Sequence, residues 1–80
     1  METRIISDEH FHEMRRIATD IWQGYSDEFG YVTGKLDYIN SFGNIGDNAL
    51  IFYRMFDWQN QQKFRAAASD EVLQIIKNLS

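Results

Sequence analysis

The 80-residue sequence contains no cysteine. This absence excludes a disulfide scaffold, a cysteine-ligated zinc finger and a cysteine nucleophile. Positive charge is also scarce, because 8 lysines and arginines stand against 12 aspartates and glutamates, which gives a formal net charge of -4. A net negative chain is poorly suited to neutralising phosphates, so nucleic acid is an unfavoured partner.

Long hydrophobic runs are missing as well. The longest uninterrupted apolar run covers only residues 49–53, whereas a membrane-spanning helix needs about 20 apolar residues. The first residues contain no apolar core of signal-peptide length. We therefore expect a cytoplasmic protein with one domain, residues 1–80, and no membrane partner. Its 44% hydrophobic and 15% aromatic residues exclude a disordered tail.

The triplet Ser-Asp-Glu occurs three times, at residues 7–9, 26–28 and 69–71. A serine oxygen can accept a hydrogen bond from the free N–H groups of a first helical turn, and two carboxylates there face the positive end of the helix dipole. Each triplet therefore predicts a helix start. Asp47, after a glycine, is a fourth candidate cap.

The first predicted helix covers residues 8–23. Apolar residues recur in steps of three and four and fall on one face, namely Phe11, Met14, Ile17, Ala18, Ile21, Trp22 and Tyr25. Gly24 follows directly and is predicted to end this helix in a left-handed cap.

The segment 27–42 is open to two interpretations. As a helix it places its apolar residues on one face, namely Phe29, Val32, Leu36 and Ile39. As an alternative, Thr33 and Gly34 turn a small hairpin near residues 30–39. In the helical interpretation Gly30 and Gly34 align on one face and permit close approach of a neighbour.

The rest of the chain predicts two more helices. Residues 41–46 are typical of a loop, and helices are predicted over 48–67 and 70–79 with a break or kink at Ser69. The expected fold is all-α, a compact three- to four-helix bundle; the hairpin alternative would make it α+β. Because residues 49–56 are apolar on nearly every side, helix 48–67 is predicted either to be central or to present one face to a partner.

Aromatic residues and arginine are the types enriched in protein interfaces. They concentrate in and just after the segment 52–58, and the candidate interaction residues are Tyr53, Arg54, Phe56, Trp58 and Lys63. We therefore predict a small acidic interaction module, an adaptor or inhibitor of a larger protein resembling phage accessory proteins in size and composition. Self-association as a homodimer would also cover such a surface.

Two alternatives from other classes remain open. Aromatic side chains together with Arg54 or Lys63 could hold a planar, nucleotide-like anion. Arg54, Lys63 and Arg65 could also lie along one helix that enters a nucleic-acid groove, or the acidic surface could mimic DNA. Six of the twelve acidic residues, however, are already explained as charges at helix starts, so few remain to imitate the phosphates of DNA.

Signals for catalysis are few. Glu9 and His12 have the Glu-x-x-His spacing of di-iron bundles, but such a site needs a second copy of the motif and two more glutamates. The chain also has no glycine-rich phosphate loop. We expect no enzyme activity, no cofactor and no metal, and we interpret residues 9–13 as a solvated first turn.

Overall fold

The computed structural model describes residues 7–26, 30–41 and 50–79. In this part of the chain it contains five α-helices, which are α1 Asp8–Gln23, α2 Tyr31–Asn40, α3 Ile51–Arg54, α4 Trp58–Ala67 and α5 Asp70–Leu79. The all-α prediction is confirmed. The hairpin alternative near 30–39 is wrong, since residues 31–40 form α2.

Helix α1 has the predicted bounds and the predicted start. The Ser7 side chain accepts a hydrogen bond from the backbone N–H of His10 at 3.2 Å. The predicted left-handed cap at Gly24 is wrong, because Gly24 has right-handed dihedrals, φ -78° and ψ -6°. The left-handed glycine is instead Gly30, which precedes α2 with φ 73°.

Helix α1 is also the central helix of the bundle. Its 16 residues span about 24 Å, and α2, α3, α4 and α5 all pack against it. Its buried side chains follow the predicted face, namely Phe11, Met14, Ile17, Ala18 and Trp22. Tyr25, which follows the helix, is exposed. The expectation that helix 48–67 is the central one is therefore wrong.

Helix 48–67 is divided into two helices, α3 and α4, by residues 55–57. Asp57 has extended dihedrals, φ -74° and ψ 176°, and its side chain accepts the backbone N–H of Asn60 at 2.9 Å. An aspartate in this position caps a new helix rather than continuing the old one. The described residues consequently contain one helix more than the upper limit of the predicted three to four.

The break brings the aromatic residues of both short helices into one cluster. The ring of Phe64 lies 5.4 Å from that of Tyr53 and 6.2 Å from that of Phe56. Phe56 in turn stacks on Trp22 of α1 at 5.4 Å. Phe52 contacts Phe11 of α1 at 5.3 Å. All of these side chains are buried, so burial of these rings holds α3 and α4 against α1.

Helix α2 packs on α1 through the apolar face that the helical interpretation predicts. Val32 and Ile39 are buried, and Leu36 is partly buried against the same core. Phe29, the fourth predicted member of this face, lies outside the described residues, as do the triplet acids Asp27 and Glu28. Asp47 and the predicted loop beyond Ser41 also lie outside them.

Helix α5 has the predicted bounds, and its first turn is tied to α1 by side chains. Ser69 Oγ accepts the backbone N–H of Val72 at 3.3 Å, as the triplet predicts. Glu13 of α1 accepts the backbone N–H of Ser69 at 2.7 Å and its hydroxyl at 3.1 Å. A further contact of 3.3 Å joins His10 to Glu71. The Glu13 carboxylate thus extends a local helix cap into a contact between two helices.

We expect the break between α3 and α4 to depend on the Asp57 cap. Replacing a capping aspartate by alanine costs about 1 kcal/mol, whereas asparagine caps equally well. Asp57→Ala should therefore lower the free energy of unfolding in urea by about 1 kcal/mol, and Asp57→Asn should leave it unchanged. Equal losses in both variants would contradict a capping role.

We also expect the Glu13–Ser69 contact to couple α1 and α5. A double-mutant cycle of Glu13→Ala and Ser69→Ala should give a coupling free energy of about 1 kcal/mol, because both variants remove the hydrogen bond between the Ser69 hydroxyl and the Glu13 carboxylate. The bond from the backbone N–H of residue 69 is lost only in Glu13→Ala. The control is Asp20→Ala, which removes an exposed carboxylate from the same helix. A coupling no larger than that between Asp20→Ala and Ser69→Ala would show that the hydrogen bond between the Ser69 hydroxyl and Glu13 contributes nothing.

Candidate functional site

Helix α2 has one face on the core and, beside it, a face that carries large exposed side chains. Tyr31 and Tyr38 are 59% and 45% exposed, and they are seven residues apart, which is close to two helical turns. Gly34 and Lys35 lie between them on the same face. An exposed face that combines glycine and two tyrosines with a single charged residue is unusual for a short surface helix.

This face forms one wall of an open groove of about 620 Å³. We call it the tyrosine groove and define it by its lining residues, which are Gly30, Tyr31, Gly34, Lys35, Tyr38 and Met55. Met55 comes from the turn between α3 and α4. The break in the predicted helix 48–67 thus places a residue of this turn in the groove.

The two glycines leave the groove open. A Cβ atom at Gly34 would meet no atom within 4 Å, and the same is true at Gly30. Gly30 is constrained to glycine by its left-handed φ of 73°. Gly34 has no such constraint and lies in a helix interior, where glycine costs about 1 kcal/mol relative to alanine. Neither packing nor backbone conformation in the described structure accounts for a glycine at position 34.

Trp22 of α1 connects the groove to the core. Its ring lies 5.6 Å from Tyr31, 5.5 Å from Tyr25 and 5.4 Å from Phe56. The Lys35 ammonium lies 5.6 Å from the Trp22 ring centre and 5.3 Å from the Tyr31 ring centre. These separations are within the range of cation–π attraction. The tryptophan therefore fixes the positions of a groove tyrosine and of the groove lysine.

The Trp22 indole N–H is buried and has no hydrogen-bond partner in the described structure. Leaving a buried donor unpaired costs about 1–3 kcal/mol. The ring is only 7% exposed, so its apolar contacts outweigh this cost. Tyr25, its neighbour, does have a polar partner, since the side-chain amide of the buried Asn60 donates to the Tyr25 hydroxyl.

The structure distributes the sequence-predicted interaction residues between core and surface. Tyr53 and Phe56 are buried in the aromatic cluster, whereas Arg54, Trp58 and Lys63 are exposed. Trp58 is 72% exposed, the largest value among the exposed large hydrophobic residues described. None of these five lines the tyrosine groove. They therefore do not form one continuous surface.

The basic residues considered for nucleic-acid binding are likewise separated. Arg54 belongs to α3, and Lys63 and Arg65 belong to α4. The prediction that one helix carries all three is wrong, because the cap at Asp57 starts a new helix between them.

The acidic and histidine residues of the first turn are occupied in helix contacts or exposed. Glu9 and His12 are exposed on α1, while His10 and Glu13 contact α5. No group of three or more potential metal ligands occurs within residues 7–26, 30–41 and 50–79.

The groove residues were not singled out by the sequence pattern as a binding site, although a signal for them was present. Tyr31, Gly34, Lys35 and Tyr38 follow the spacing of one helical face, beside that of Val32 and Ile39. The sequence predicted that Gly30 and Gly34 align on one helical face and permit close approach of a neighbour, whereas Gly30 precedes α2 and no atom lies within 4 Å of a Cβ built at either glycine. The interaction site was predicted in the aromatic segment 52–58 instead, because composition alone does not distinguish a buried ring from an exposed one.

We expect Trp22 to support the groove through ring contacts rather than through its N–H. Trp22→Ala should lower the free energy of unfolding by about 3–5 kcal/mol, because it leaves a large cavity. Trp22→Phe keeps an aromatic ring and removes the unpaired donor, so its loss should not exceed about 1.5 kcal/mol. Urea denaturation measures both, and a phenylalanine variant as unstable as the alanine variant would contradict this assignment.

Comparison with known proteins supplies no relative. No protein-family model matches the chain, no curated protein matches its sequence, and no solved structure matches its fold. No helix within the described ranges has both the length and the apolar character needed to cross a bilayer. The tyrosine groove is therefore the feature from which a function is inferred.

Proposed function

We propose that this protein is an interaction module that binds a larger protein through the tyrosine groove, and so acts as its adaptor or inhibitor. The observation that carries the proposal is the exposure of Tyr31 and Tyr38, at 59% and 45%, on two sides of an unfilled glycine position. Exposed tyrosines of this kind are depleted on ordinary surfaces and enriched where proteins meet.

Tyrosine suits this role for a physical reason. Its ring offers a large apolar contact area at a low cost in side-chain entropy, and its hydroxyl makes a hydrogen bond at the edge of the contact. In the tyrosine groove two such rings flank Gly34, where no atom of the described residues lies within 4 Å of the place that a Cβ would take. A partner side chain inserted there would contact both rings and the helix backbone.

The groove is held in place before any partner binds. Helix α2 is anchored to the core by Val32 and Ile39, and Tyr31 rests against the buried Trp22. Lys35 is held over the same two rings. Side chains that are fixed in the free protein lose little conformational entropy on binding, which favours affinity.

The shape of the groove favours a protein segment over a small molecule. A volume of about 620 Å³ lies within the range of small-ligand sites, but such sites enclose most of their ligand. Here both tyrosines remain about half exposed, and the groove is walled mainly by one helix. An extended segment can contact such an open surface along its length, whereas a nucleotide would stay largely in water.

Arg54, Trp58 and Lys63 remain proposed as a second contact region, because they are exposed on α3 and α4. Tyr53 and Phe56 then act indirectly, by holding these helices in place. The proposed compartment is the cytoplasm, where a chain without cysteine loses no stabilising disulfide to reducing conditions.

We expect Gly34→Leu to block binding without unfolding the protein. A leucine side chain at this position enters open space, fills the groove between the tyrosines and replaces a poor helix former by a good one. The melting temperature should stay equal or rise, while capture of the partner from a lysate of the native host should fall at least tenfold. Tyr38→Ala should weaken the same capture.

The matched control is Asn40→Leu, which adds the same side chain at an exposed position of α2 outside the groove. This variant should capture the partner as the unmodified chain does. Undiminished capture by Gly34→Leu would overturn the proposal. An untagged copy of the chain is co-expressed with the tagged one. If this copy is the only protein recovered, the chain self-associates and the proposal of a larger partner is overturned.

A further inference from the structure

We infer that the segment bound in the tyrosine groove carries a carboxylate flanked by apolar residues, and that Lys35 selects this charge. The inference rests on the proposed function and deepens it by specifying the chemistry of the partner. It derives from the charge, the dimensions and the lining of the groove.

The charge of the groove is opposite to that of the chain. The described lining includes Lys35 and no aspartate or glutamate, although acids outnumber bases by 12 to 8 in the sequence. The other polar side-chain groups of the lining are the hydroxyls of Tyr31 and Tyr38, which can donate hydrogen bonds. A carboxylate is a partner group whose negative charge Lys35 can balance.

Lys35 also has no acidic partner within the described part of the chain. The ion pair described there joins His10 and Glu71, on other helices. Lys35 instead lies over the rings of Trp22 and Tyr31. Ring faces attract the positive charge but do not satisfy its three N–H donors. The ammonium is thus positioned at the groove and retains the capacity to bind an anion.

A single lysine favours a carboxylate over a phosphate. Phosphate sites commonly combine arginine side chains or helix N-terminal amides with their glycine loops. Lys35 lies in the interior of α2, away from its N-terminus, and no arginine lines the groove in the described structure. One ammonium matches the single negative charge of one carboxylate.

The dimensions of the face indicate how the segment is arranged. Tyr31 and Tyr38 are seven residues apart, which corresponds to about 10 Å along a helix. About three residues of extended chain cover that distance. Lys35 lies between the two tyrosines, so an acidic residue would be bracketed by apolar residues that contact the rings. Because the rest of the surface is net negative, an isolated acid is favoured over an acidic tract.

The test is a selection of random peptides displayed on phage against the full-length protein. Binders that are lost on Gly34→Leu define the groove-dependent set. In this set we expect aspartate and glutamate to be enriched at least threefold over the input library. The enrichment should persist with Lys35→Arg, disappear with Lys35→Gln and be replaced by lysine and arginine with Lys35→Glu.

Lys77→Gln is the matched control, since it removes an exposed lysine of α5 that does not line the groove, and its selected peptides should match those of the unmodified chain. For one selected peptide, replacing its acid by the amide should weaken binding to the unmodified protein about tenfold, as expected for loss of a charge-assisted hydrogen bond. The same replacement should leave binding to Lys35→Gln unchanged.

Two results would overturn the inference, and they differ in what they say about the proposed function. Groove-dependent peptides with aspartate and glutamate at input frequency, or with the same enrichment for Lys35→Gln, would disprove the role of Lys35 and leave the groove as a binding site. If the selection gives no groove-dependent peptide, both the role of Lys35 and the proposed function of the groove are overturned. The same holds if all selected peptides still bind Gly34→Leu.

Discussion

The apolar face of α1 is the surface on which the rest of the structure depends. Each of the other four described helices packs against α1. Three of them are ten residues long and α3 has four residues. Helices this short are unstable alone, because helix nucleation is costly and few hydrogen bonds follow it. Their stability therefore comes from burying side chains against α1, and loss of packing at its centre would affect all of them.

Trp22 of α1 connects the packing of the core to the exposed groove. One part of its ring environment is the buried Phe56, and another is the exposed Tyr31 with Lys35 beside it. The same side chain thus belongs to the core and supports the groove. A binding face built in this way is positioned by the fold itself rather than by a flexible loop.

Much of the fold follows from local rules in the sequence. The period of three and four residues and the serine caps predict α1 and α5 with their observed bounds. The division of residues 48–67 was missed because no proline or glycine marks it, while a single aspartate, Asp57, decides the backbone path. Gly24 and Gly30 show the same limit, since a glycine permits a left-handed conformation but tertiary packing determines where it occurs.

The site was less predictable than the fold. The exposed face of α2 can be derived from the spacing of Tyr31, Gly34, Lys35 and Tyr38 once α2 is known to be helical. The contribution of Met55 to the groove cannot be derived in this way, because it depends on the turn at residues 55–57. The burial of Tyr53 and Phe56 likewise depends on where α3 and α4 lie on α1, which no local pattern specifies.

The central position of α1 also has a consequence for synthesis of the chain. Helix α1 precedes all of its partner helices in the sequence, so its apolar face is made before the side chains that cover it. At a translation rate of about 5–20 residues per second, roughly 3–11 seconds separate the end of α1 from the end of α5. During that interval α2 is the first helix available to shield Trp22, and the nascent chain depends on this early pairing to limit exposure of its aromatic residues.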